Sequence, residues 1–132
     1  MHNYIRDFKR AKDCEQIVHC RPTQIVQVLV NLLNNSFDAI VHQSDPWVSI
    51  KVVQEKNKVL IYITDSGPGI AEEVAKHMME PFYTTKEMGK GTGLGLSISK
   101  NLIELNHGQL VYNKNSSHTE FIVEMSLGEL AN

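Results

Sequence analysis

At 132 residues, 42% of them hydrophobic and 21% charged, the chain has the length and composition of one domain with a single core. Its formal net charge of −2 offers no basic face to nucleic acid, and no apolar run approaches the ~20 residues of a membrane span. The charged opening MHNYIRDFKRAKD is no signal peptide, and Cys14 and Cys20 are too few for a disulfide framework or zinc site, so a cytoplasmic domain with reduced thiols is expected.

In chain order, the short apolar run EQIVHC (15–20) predicts a strand. Pro22 opens a helix, and TQIVQVLVNLLNNSFDAIVH (23–42) continues it for 20 residues free of Gly and Pro. After Pro46, WVSIKVVQE (47–55) alternates and KVLIYIT (58–64) is nearly continuous, which predicts two strands with a tight hairpin at Asn57-Lys58. DSGPGI (65–70) carries turn chemistry, AEEVAKHMM (71–79) a short helix, and EPFYTTKEMGKG (80–91) a mobile loop. A helix is expected from Leu94 to Asn106, stopped by His107-Gly108, before the closing strands QLVYNK (109–114) and TEFIVEMSL (119–127). This order predicts a two-layer α/β sandwich, with three helices on one face of a mixed, mostly antiparallel sheet. The alternation in 47–55 predicts that the other face is partly solvated.

The long helix should be buried over most of its circumference, yet one line of it is polar: Gln24, Gln27, Asn31, Asn35, Asp38 and His42. Steps of three and four place all six on one face. A solvated stripe normally carries Lys, Arg or Glu, and this one has none, so it reads as the wall of a polar pocket. Asn35 presents a hard, neutral amide oxygen, suited to Mg²⁺ when phosphates bring the negative charge, and Asn31 lies one turn earlier to assist.

Asp65 follows a buried strand and precedes Ser66-Gly67-Pro68-Gly69. A carboxylate only accepts hydrogen bonds, so it suits an exocyclic amine such as adenine N6 and opposes the guanine oxygen. Gly67 and Gly69 let the backbone approach a flat base. Downstream, GKGTGLGLS (89–97) matches neither the P-loop nor the dinucleotide fingerprint. Its bare amides and the following helix start still make an anion nest, flanked by Lys86 and Lys90 and supplemented by the hydroxyls of Thr92 and Ser97.

Taken in order, NLLNNSFDAI (31–40), DSGPGI (65–70), EPFYTTK (80–86) and GKGTGLGLS (89–97) resemble the N, G1, F and G2 boxes of the sensor histidine kinase catalytic domain. That domain shares its ATP site with type II topoisomerases, a heat-shock chaperone and mismatch-repair ATPases. The resemblance covers residues 15 to 127, and its wording is most similar to kinases of nitrogen-regulation and sporulation type, with a short lid.

The resemblance implies the Bergerat α/β sandwich, with ATP and Mg²⁺ as cofactors. Asn35 would be the metal ligand with Asn31 supporting it, and Asp65 would bind adenine N6 with Gly67 and Gly69 shaping the pocket. Residues 82–92 would form the ATP lid, hinged on the core by Phe82. Lys86, Lys90, Gly91, Thr92, Gly93, Leu94 and Gly95 would attend the triphosphate, and Thr119 would lie near the adenine. Asp38 replaces a basic residue of many family members, so Lys86 or Lys90 would take its task. His118 and Gln109 stand where the family has glycines.

None of the six histidines sits in a phosphoacceptor box. The resemblance therefore implies that 1–14 ends a linker from a separate dimerisation module bearing the accepting histidine, and that 15–132 is the catalytic domain. A response-regulator receiver domain would be the further partner, with neither nucleic acid nor membrane contacted. The rival readings are an anti-sigma-type protein serine kinase and an ATP-sensing module without transfer.

Overall fold

The computed structural model describes residues 5–10, 20–84 and 95–127. Helix α1 (Pro22–Ile40) starts on Pro22, whose fixed φ suits the first helical position and whose missing N–H costs nothing there. Strands β2 (Val48–Glu55) and β3 (Lys58–Asp65) form a hairpin; α2 (Glu72–Ala75) is one turn. Helix α3 (Gly95–Leu105) leads through a tight turn into β4 (Gly108–Tyr112), and β5 (Thr119–Ser126) closes the fold.

The sheet order is β1-β2-β3-β5-β4, antiparallel throughout except at its first edge. There β1 (Ile5–Arg10) pairs parallel with β2, in a segment for which the sequence suggested no element. The strand expected at 15–20 falls almost wholly outside the described residues, and Cys20, its last member, lies in a bend. Helices α1 and α3 cover one face of the sheet. Between them and the sheet lie Val28, Leu32 and Ile40 of α1, Ile103 of α3, and Val48, Ile63, Leu110, Phe121, Val123 and Met125 of the strands. The predicted sandwich is the observed fold.

Three local expectations need correction. The β2–β3 turn consists of Lys56-Asn57, one residue earlier than read, with Glu55 facing Lys58 and Lys56 in the left-handed region at φ 55. The stop after α3 places the left-handed residue at His107, φ 62, and Gly108 already belongs to β4. Gly108 is there for space: a Cβ would strike the Glu124 backbone oxygen and stand 2.7 Å from Met125 Sδ. Burial of α1 is also narrower than read: only Val28, Leu32, Ser36 and Ile40 are fully buried, Ile25, Leu29, Leu33 and Phe37 are half-buried against the core, and Val26, Val30 and Val41 are exposed.

Candidate functional site

The polar line on α1 divides between two tasks. Its first half is a seam with α3, which runs antiparallel to α1. Gln24 Oε1 accepts from Asn106 Nδ2 at 2.9 Å, and Asn31 Nδ2 donates to Ser99 Oγ at 3.4 Å. Buried Asn106 also bonds the Arg21 amide through Oδ1 at 2.8 Å, so it supplies the cap that α1 lacks from its own side chains. Asn35 continues the same register at the start of α3, where a Cβ on Gly95 would stand 3.9 Å from its Nδ2. Gln27, Asp38 and His42 are exposed, so the stripe is a pocket wall only near Asn35.

Ser36, the next residue, turns toward the sheet. It is 4% exposed, and its hydroxyl bonds the Asp65 carboxyl at the end of β3. Asp65 is therefore tied to the helix position next to Asn35, a residue 30 positions earlier in the sequence. Ser36 was missed in the sequence, although it breaks the apolar series Val28, Leu32, Ile40 at helical spacing, and that signal was readable.

Asp65 is 2% exposed. Burial pushes its carboxyl pKa above the usual value; hydrogen bonds from the Gly67 amide and the Ser36 and Thr119 hydroxyls, and the nearby His118, oppose the rise. Gly67 N donates to Asp65 Oδ1 at 2.7 Å. Any larger residue at 67 would have to displace two side chains, since a Cβ would lie 2.7 Å from Asp65 Oδ1 and 2.8 Å from Thr119 Oγ1. Thr119 pairs directly with Asp65 across the β3–β5 ladder, so the two side chains arrive together.

The 66–70 loop has each amide assigned. Ser66 N donates to Trp47 O, Gly67 N to Asp65, Gly69 N to Thr119 Oγ1 at 3.0 Å and Ile70 N to the Tyr112 hydroxyl at 2.8 Å; Pro68 has none. Ser66 is further gripped by Gln43, just beyond α1: Ser66 Oγ donates to Gln43 Oε1 at 2.5 Å and Gln43 Nε2 to Ser66 O at 3.2 Å. The His118 ring stands edge-on to Trp47, centroids 4.9 Å apart, with Nδ1 3.4 Å from Gly67 O. Gly69, at φ +95, uses the freedom that only glycine has there.

At the other end of the candidate site, Lys86, Lys90, Gly91, Thr92, Gly93 and Leu94 lie outside the described residues, as does the predicted 80–91 loop beyond Thr84. Phe82 is 74% exposed rather than packed on the core, with a left-handed φ of 68. Among the described residues no three His, Cys, Asp or Glu side chains converge. No described helix is long and apolar enough to cross a membrane.

Residues 20–129 match the family described as histidine kinase-, DNA gyrase B-, and HSP90-like ATPase. The chain is 39% identical over 94 residues to sporulation kinase E of Bacillus subtilis, a stretch that is 71% of this chain and 12% of that protein. It is 40% identical over 96 residues to the C4-dicarboxylate transport sensor protein DctB of Pseudomonas aeruginosa, covering 70% of this chain and 15% of that one. Among solved structures, the catalytic domain of histidine kinase ThkA superposes with a TM-score of 0.79 at 31% identity, over 94% of this chain and 80% of that one. The chain thus spans under a sixth of the length of these two curated relatives. On this match and this fold, the chain belongs to the histidine kinase-, DNA gyrase B- and HSP90-like ATPases, as an ATP-binding catalytic domain of the histidine kinase kind.

Proposed function

We propose that the chain binds Mg·ATP and donates the γ-phosphate to a histidine on a separate dimerisation module, as the catalytic domain of a cytoplasmic sensor kinase region. The observation that supports this reading is the Ser36–Asp65 hydrogen bond, which ties the carboxylate to the helix position next to Asn35. One helix thereby offers an amide toward Gly95, which opens α3, and steadies a carboxylate at the end of the central strand β3.

In this reading the Asp65 carboxylate accepts from adenine N6, and Thr119 and Gly67 hold that carboxylate in place. Guanine would set an oxygen against it, at a cost of about 1–3 kcal/mol. Asn35, supported by Asn31, would hold Mg²⁺, which when bound neutralises charge on the phosphates. Gly91, Gly93 and Gly95 would receive the triphosphate at the N-terminus of α3, and Lys86 or Lys90 would supply the positive charge. Residues 82–92 would be the lid. Phosphoryl transfer depends on positioning and electrostatics, so a domain that positions the donor alone hydrolyses ATP poorly. Residues 1–14, β1 included, would lead from the dimerisation module, and a receiver-domain aspartate would take the phosphoryl group onward.

The expected Mg·ATP affinity is micromolar, about −6 to −8 kcal/mol. Incubation with γ-labelled ATP and a histidine-bearing helical module tests the reading: acid-labile label on histidine supports it, while label on serine or none overturns it. Asn35→Ala should remove the Mg²⁺ dependence of ATP binding, measured by calorimetry with and without chelator.

A further inference from the structure

We propose that Tyr112 is a positioning residue for base binding, its hydroxyl holding the second half of the 65–70 loop in the shape that receives the purine. The inference rests on the ATP-site reading above and extends it to a residue on β4, the far edge strand, whose sequence reads only as a β-strand position. The loop between β3 and α2 has no regular structure of its own, and α2 begins without a side-chain cap. Its path over Gly69 and Ile70 is therefore set by what accepts those two amides. Thr119 Oγ1 of β5 takes the first at 3.0 Å and the Tyr112 hydroxyl takes the second at 2.8 Å.

The phenol is well supported for this task. Its ring leans on Phe121, its register partner on β5, with centroids 5.5 Å apart. The hydroxyl also stands 3.4 Å from where a Cβ on Gly69 would be, so it bounds the one glycine of the loop with positive φ. An aliphatic side chain at 112 would fill the core equally well and leave the Ile70 amide with no acceptor. The hydroxyl is thus the part of Tyr112 that bears on the loop, and the ring is the part that bears on the fold.

Tyr112→Phe separates the two. The variant keeps the ring against Phe121 and deletes the acceptor. In the 132-residue chain, Mg·ADP affinity by calorimetry should fall about three- to tenfold, the effect of one lost half-buried hydrogen bond. Amide hydrogen exchange should quicken in the 66–72 peptide and stay unchanged across β2, β3 and β5. Unchanged ADP affinity, or unchanged exchange at 66–72, overturns the proposal. So does faster exchange spread through the sheet, which would mark a general loosening. Failure of the unsubstituted chain to bind ADP at all would overturn the ATP-site reading itself, and the proposal with it.

Discussion

The two ends of β5 lie against glycines of opposite purpose. At one end, beside the Asp65–Thr119 pair, Gly67 leaves room for two side-chain oxygens. At the other, Gly108 pairs with Met125, and the room it leaves is taken up by the Glu124 backbone and by Met125 and Ile103. Side-chain oxygens can move aside and lose their task; a strand backbone cannot move without breaking the sheet. The first glycine therefore serves the site, and the second serves the fold.

Alanine at each position breaks that comparison or sharpens it. Gly108→Ala drives a Cβ into the β5 backbone and should destabilise the domain by about 3 kcal/mol or more, read by denaturant unfolding. Gly67→Ala displaces Asp65 and Thr119 rather than backbone, so its stability cost should be smaller, about 1–2 kcal/mol. Its nucleotide affinity should nonetheless fall about tenfold or more, a loss that calorimetry with Mg·ADP measures. Equal stability costs at 67 and 108 would show that the two glycines do not differ as argued.

Much of this was legible beforehand, for reasons that also explain the failures. Long α1, the β2–β3 pair and the closing strands have strong periodicity, and Asp65 and Asn35 have chemistry suited to their place. β1 was not legible because IRDFKR is four-sixths charged and its strand state comes from backbone pairing along an edge. The polar line on α1 was seen, but its division was not: a helix face shows which residues lie together, not that α3 covers Gln24 and Asn31. Tyr112 and Gln43 were missed for a related reason. Their roles depend on a loop reached across 42 and 23 residues of sequence, a proximity that no local pattern encodes.

The smallest effect expected at the Asp65 end is its response to acid, and it too sets site against fold. Burial raises the Asp65 carboxyl pKa, so the folded chain holds this proton at a pH where the unfolded chain has released it. As pH falls into that window, starting above the ordinary value of 3.8, this group adds to stability rather than subtracting from it. Adenine N6, in contrast, is held more strongly by the ionised form, whose charge strengthens the hydrogen bond it accepts. Mg·ADP affinity should therefore decline by up to about tenfold per pH unit on acidification, while this residue contributes no loss of fold. Asp65→Asn should flatten that part of the profile, because an amide does not titrate, and should narrow the preference for ADP over GDP. An unchanged acid slope in the variant would assign the titration to another group, and equal ADP and GDP binding by the unsubstituted chain would remove Asp65 from base recognition.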